Sequence, residues 1–279
     1  MDVYLFRLSL KEREAPDLFS FDAPAAGMDR EAWLRHVFGT QRHFRHYGSD
    51  FIYRPEQSTA PPRSTLIFGW FGRVKRMAER TPPEEGFLPT EHGGWQAIFV
   101  ALDPVSHDNG QKLAIEYDSE IGRPGAILSS FVRDLNSDGE SPYSLNAFPI
   151  LSAGSFWDFA HSHRNEIITL SFDVAVPNMF NGVSDFEEEL RALQKNENVA
   201  EVDTTLKSDG VLKHDSERIR DIVNYVDRGA GKLSAEALDG AIYKSSEHEV
   251  HVSVEMEHHS NNIDRFWRDI SDWIDKVFL

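Results

Sequence analysis

An α+β fold, with mostly antiparallel sheets packed by helices, is what this sequence predicts. Three observations carry the expectation. Strand patterns lead the chain before any helix–strand alternation sets in. A β-α-β-α-β-β order with a closing helix follows, and hairpin turn chemistry separates apolar runs. No repeat of fixed period is present, which disfavours solenoids and propellers.

The elements follow in order. Val3, Leu5 and the alternation around them read as an opening strand. Asp29 caps a helix carrying Trp33, Leu34, Val37 and Phe38 at helical spacing. After a proline-containing loop at 58–62, residues 65–74 read as a strand holding Gly69 and Gly72. Glycine inside a strand marks a bulge or a close backbone approach. Residues 81–89 form a second proline-rich loop. The apolar run 95–102, the turn Asp108-Asn109-Gly110 and the return 112–117 make the clearest hairpin in the chain. Residues 126–135 are a short helix. The stretch 136–165 is rich in Ser, Asn, Gly and Pro with few periodic apolar residues. A boundary is expected there, between an N-terminal α+β domain at 1–150 and a C-terminal one at 151–279.

In the second half, Ile168, Leu170, Phe172, Val174 and Val176 share one strand face. Ser184 and Glu187 have capping-box spacing before a helix with Phe186, Leu190 and Leu193. Residues 199–206 are a strand. Asp215 or Ser216 caps a helix with Ile219, Ile222, Val223 and Val226, and Gly229 stands at its stop. Residues 241–244 and 248–256 read as a closing antiparallel pair. A last helix carries Phe266, Trp267, Ile270, Trp273, Ile274 and Val277. This half fits a variant of the ferredoxin-like layout.

Composition narrows the chemistry. With no cysteine, a disulfide framework, a thiol nucleophile, a zinc ribbon and an iron–sulfur cluster are all excluded. The start of the chain lacks the pattern of a signal peptide, and no apolar stretch reaches the roughly 20 residues of a membrane span. A cytoplasmic protein with no membrane association is therefore expected.

Charge is distributed unevenly. The formal net charge is −17, yet residues 30–80 hold ten cations against only Glu31, Asp50, Glu56 and Glu79. A basic island kept in an acidic chain asks for an anionic partner. Arg42, His43, Arg45, Tyr47, Trp70, Arg73, Lys75 and Arg76 mix cations with rings, with Phe68 and Phe71 beside Trp70 as a further platform. Nucleic-acid binders use that mixture, cations for phosphates and rings for unstacked bases. The expectation is one contiguous cationic surface. The bland alternative is a solvated face whose arginines pair with local carboxylates.

A second constellation is acidic. Asp173, Asp203, Glu249 and His251 project from the polar sides of their strands. If those strands were neighbours, they would gather around Mg²⁺ or Mn²⁺ as in a metal-dependent nuclease or phosphoesterase. An antiparallel sheet with one wet face places such residues there anyway. His161-Ser162-His163-Arg164 reads as polar loop. Gly229-Ala230-Gly231-Lys232 is no phosphate loop, because Val226 stands where a glycine is required and Leu233 where Ser or Thr is. No Gly-x-Ser-x-Gly elbow occurs.

The segment Leu206-Lys207-Ser208-Asp209-Gly210-Val211-Leu212, with the helix running to Gly229, resembles segments of uncharacterised bacterial proteins carried in phage-defence neighbourhoods. The resemblance covers about a tenth of the chain and transfers no functional residue. It implies a cytoplasmic protein working beside other subunits on phage or nucleic-acid signals. The resulting expectation is a non-catalytic accessory or sensor protein. It would bind nucleic acid or another polyanion through the island, and a protein partner through the acidic remainder or the terminal helix. An acidic inhibitor or nucleic-acid mimic that binds a basic protein is the other alternative.

Overall fold

A computed structural model of the chain describes residues 1–13, 28–56, 65–107, 110–139, 141–152, 154–176, 184–197, 199 and 201–253. The opening alternation becomes strand β1 (Asp2–Glu12), buried on both sides. Phe6, Leu8 and Leu10 enter one apolar core, while Val3 and Leu5 enter another. Helix α1 (Arg30–Phe38) follows, with the Asp29 carboxylate accepting the Ala32 N–H at 2.7 Å. It buries the four residues expected of it, Trp33, Leu34, Val37 and Phe38. Strands β2 (Arg42–His46) and β3 (Ser49–Pro55) are joined by Tyr47 and Gly48, both at positive φ, as a two-residue hairpin of the primed type requires.

Next come β4 (Ile67–Arg80) and β5 (Pro89–Asp103), which pair along their whole length. Gly69 in β4 is the close approach that the sequence signals: a Cβ there would lie 2.6 Å from the Tyr53 ring. β6 (Gln111–Tyr117), α2 (Pro124–Ser137) and β7 (Tyr143–Pro149) complete this region. The larger sheet runs β12-β1-β6-β5-β4-β3-β2, where β12 is His251–Ser253, and β7 pairs β1 beyond β12. Every pairing in it is antiparallel. α1 and α2 pack on one face of it. At the centre of that core Phe131 of α2 is ringed by Phe38, Phe44, Tyr53 and Phe71, with centroids 5.1 to 5.5 Å away.

The smaller sheet has the order β11-β10-β8-β9, from β8 (Ile167–Ala175), β9 (Glu201–Lys207), β10 (Gly231–Ala237) and β11 (Ile242–Lys244). Helices α3 (Ser155–Ser162), α4 (Asp185–Glu197) and α5 (Glu217–Tyr225) share one core with the Leu170, Phe172 and Val174 face of β8. β9 and β10 both run antiparallel to β8 between them and are linked through α5. That is one split β-α-β unit, half of a ferredoxin-like layout. The fold is thus α+β, antiparallel sheets with packed helices. Among the described residues no helix is long and apolar enough to cross a membrane.

Two expectations change. The stretch 136–165, read as having few periodic apolar residues, holds β7 and α3. Its alternation is diluted because Ser144 and Asn146 occupy the half-buried positions between Tyr143, Leu145 and Phe148. Among the described residues the expected closing pair does not form: Lys244 lies opposite Ser234 of β10, and His251 lies opposite Tyr4 of β1. Alternation makes a strand but does not choose its partner, and β10 hides behind small residues, Ala235 and Ala237 among them. Through β12 the larger sheet therefore takes a strand from beyond residue 150. The expected terminal helix at 266–277, with its partner-docking stripe, lies outside the described residues.

Candidate nucleic-acid interface

The face of the larger sheet opposite α1 and α2 positions the island. Strand pleat sends alternate side chains to opposite faces. In β3 and β4, Phe51, Tyr53 and Phe71 enter the helix-side core, so Ile52, Arg54, Trp70, Val74 and Arg76 point the other way. Register then builds rows across the strands. Arg54 lies opposite Trp70 and Trp70 opposite Phe99. His43 lies opposite Ile52, and Ile52 opposite Gly72, which lies opposite Ala97. Further along, Val74 lies opposite Trp95, and Arg76 opposite Gly93.

Towards β1 and β6 this face is closed, with Phe68, Phe99, Ala101 and Ala114 buried beneath it. Towards β4 and β5 it opens: Trp95 is 66% exposed and Val74 54%. β3 stops pairing at Arg73, and β6 pairs β5 only between Val100 and Asp103. From the Val74–Trp95 rung to the Arg80–Pro89 rung the two strands therefore run on as a ribbon arm, roughly 20 Å long at about 3.3 Å per residue. Phe87 and Leu88 lie exposed near its tip. Trp70 is half-buried, and its indole N–H donates to Glu56 Oε2 at 3.1 Å.

The single cationic surface that the sequence led us to expect is not formed, because the pleat divides the cations between faces. His43, Arg45, Arg54, Trp70 and Arg76 share the open face. Arg42, Arg73 and Lys75 lie on the helix side, with Arg42 opposite Tyr53 and Arg73 opposite Phe51. Two of these, Arg73 and Lys75, are engaged by the turn before α2. Lys75 Nζ donates to Glu120 Oε2 at 2.7 Å, Arg73 donates to the Glu120 carbonyl, and the Arg73 guanidinium stands 5.9 Å over Phe51. The Lys75 bond, with help from Gln96, holds the Glu120 carboxyl below its usual range. His46 is buried with Nδ1 2.9 Å from Ser130 Oγ; burial first, then Arg73 and Arg133, push its pKa down. Tyr47, at the hairpin tip, is 88% exposed.

On the open face Arg45 approaches Asp50 at 3.4 Å, an exposed pair of little energetic weight. Arg54 and Arg76 have no ion-pair partner among the described residues. Phe68 and Phe71, read from the sequence as platform rings, are both in cores. Trp95 takes their place. Sequence reading placed it at the head of an apolar run, and the signal that it is free is the length of β4 and β5 against the shorter strands flanking them.

The acidic constellation does not assemble. Asp173 and Asp203 face each other across β8 and β9 in the smaller sheet. Glu249 lies beside Gly125 near the edge of the larger sheet, where burial raises its pKa, and His251 stacks on Tyr4 with centroids 5.4 Å apart. Among the described residues no three His, Asp or Glu side chains converge as metal ligands. His163 is held by Asp239 at 2.7 Å, and His161 ends α3 rather than lying in a loop. No family model matches the chain, and no curated protein and no solved structure matches it either.

Proposed function

We propose that this protein is an accessory or sensor protein that binds single-stranded nucleic acid on the open face of its larger sheet. The observation that carries the reading is Trp95, a large indole left 66% exposed on a face that also presents Trp70, Arg45, Arg54 and Arg76. Unpaired bases offer flat faces, and stacking a base on such a ring contributes about 1–3 kcal/mol. The arginines supply phosphate contacts without specifying sequence. In the defence setting implied by the 206–212 resemblance, such a face detects foreign single strands, and the acidic remainder of the chain is left for a protein partner.

The net charge of −17 opposes a polyanion at long range, so binding depends on these short contacts. With three phosphates neutralised, log affinity should fall against log salt with a slope of about −2. Fluorescence anisotropy with labelled oligothymidylate and oligouridylate tests the proposal. Trp95→Ala should weaken binding about tenfold, the loss of one stacked base. Arg54→Ala with Arg76→Ala should flatten the salt slope. Wild-type affinity in both variants, or no binding to either oligomer, would overturn the reading; heparin bound as tightly as the oligomers would remove nucleic acid as the ligand.

A further inference from the structure

The helical layer on the smaller sheet leaves a concavity. It lies between the end of α3, the segment leading into α5, and α5 itself, and it measures about 680 Å³. Small-molecule sites occupy roughly 300–1,000 Å³, so the volume fits a ligand of a few tens of atoms.

Its lining joins flat rings to free cations. Trp157 of α3 is half-buried there, and His214, 8% exposed, holds its ring 6.4 Å from the indole. His214 Nδ1 donates to the Leu212 carbonyl at 3.2 Å, which fixes the ring against the segment leading into α5. Lys213 and Arg220 stand exposed at the same cavity. Neither has an ion-pair partner among the described residues, although carboxylates are abundant in this chain. Neighbouring arginines show the contrast: Arg218 pairs Glu189 at 2.8 Å, and Arg228 pairs Glu187. Asn165 also lines the cavity, and it and Arg164 before it hold φ of 60° and 59°. They form the left-handed turn that ends α3, with the Asn165 N–H donating to the Ala160 carbonyl at 2.7 Å.

We propose that this cavity binds a nucleoside phosphate, with its base against Trp157 and its phosphate against Lys213 and Arg220. An aromatic wall answers the base, and two uncommitted cations answer the phosphate. The proposal is independent of the sheet interface, which uses a different sheet and different residues.

Isothermal titration of the full chain with AMP, GMP, CMP and UMP tests it, with the matching nucleosides and inorganic phosphate as controls. At least one nucleotide should bind one-to-one, and its nucleoside and inorganic phosphate should each bind about tenfold more weakly or worse. Lys213→Ala with Arg220→Ala, both exposed positions that leave the melting temperature unchanged, should lower affinity at least about tenfold. Trp95→Ala should leave it unaltered, which separates this site from the sheet face. No nucleotide binding at millimolar concentration would overturn the proposal. So would full affinity in the double variant, or a nucleoside that binds as well as its nucleotide.

Discussion

Glu116 shows how a single residue registers the closed end of the sheet face. It lies opposite Val3, and its Oε2 accepts the Phe99 N–H at 3.0 Å, where β5 has passed the end of its pairing with β6. Burial raises its pKa more than that hydrogen bond lowers it. A carboxyl with a raised folded-state pKa binds its proton more tightly when folded. Its contribution is fully present below the unfolded pKa and is lost as pH rises through the folded one. Glu116→Gln keeps an acceptor for Phe99 and removes the buried charge. Thermal melts should show the variant more stable than wild type at neutral pH, with the gap closing by about pH 4. At this scale local chemistry was legible where nothing competed with it. Asp29 and Ser216 cap as their spacing announces. Ser184 Oγ likewise accepts the Glu187 N–H, at 3.4 Å. The other half of that capping box fails, because the buried Glu187 carboxylate turns instead to Arg228 and Arg191.

Elements were legible from periodicity, whereas the exposure of their ends was not. The helix containing Phe131 and the hairpin of β5 and β6 stand where the pattern put them, because burying one face dictates the spacing of apolar residues. Trp95 and Phe131 look alike as letters, yet one lies on the ribbon arm and the other at the centre of four rings. The difference depends on where β3 and β6 stop, which neither strand's own sequence records. It predicts opposite energetics. Phe131→Ala should cost about 3–5 kcal/mol in urea denaturation, because the packed rings around it, three on paired strands and one on α1, cannot collapse into the space left by the lost ring. Trp95→Ala should cost less than about 1 kcal/mol. A Trp95 variant as unstable as the Phe131 variant would mean that the indole is held by the fold and is not free for a ligand.

Across the whole molecule, the excess of cations in residues 30–80 was visible in the sequence, but their division was not: a pleated sheet sends neighbours in sequence to opposite faces. The join between the sheets was equally hidden, since it depends on backbone meeting backbone. Leu5 donates its N–H to Val250 and accepts one from Ile150, at 3.3 and 2.9 Å, and the Leu151 N–H reaches the Asp227 carbonyl at 3.3 Å. Gly229 closes this seam. It turns the chain from α5 into β10 at φ 80°, and a Cβ on it would sit 3.0 Å from Arg7 Cβ and 3.4 Å from the Pro149 carbonyl oxygen. Gly229→Ala should therefore lose about 2 kcal/mol, from the left-handed backbone and the tight contact together. Because the seam ties β1 to the segment that starts β10, the loss should appear in both sheets. Hydrogen exchange of the Leu5, Phe6 and Leu8 amides and of the Leu170, Phe172 and Val174 amides should accelerate by the same factor if the molecule opens as one cooperative unit. Acceleration confined to β8 would show that the smaller sheet opens by itself, leaving the larger sheet and its exposed tryptophan face intact.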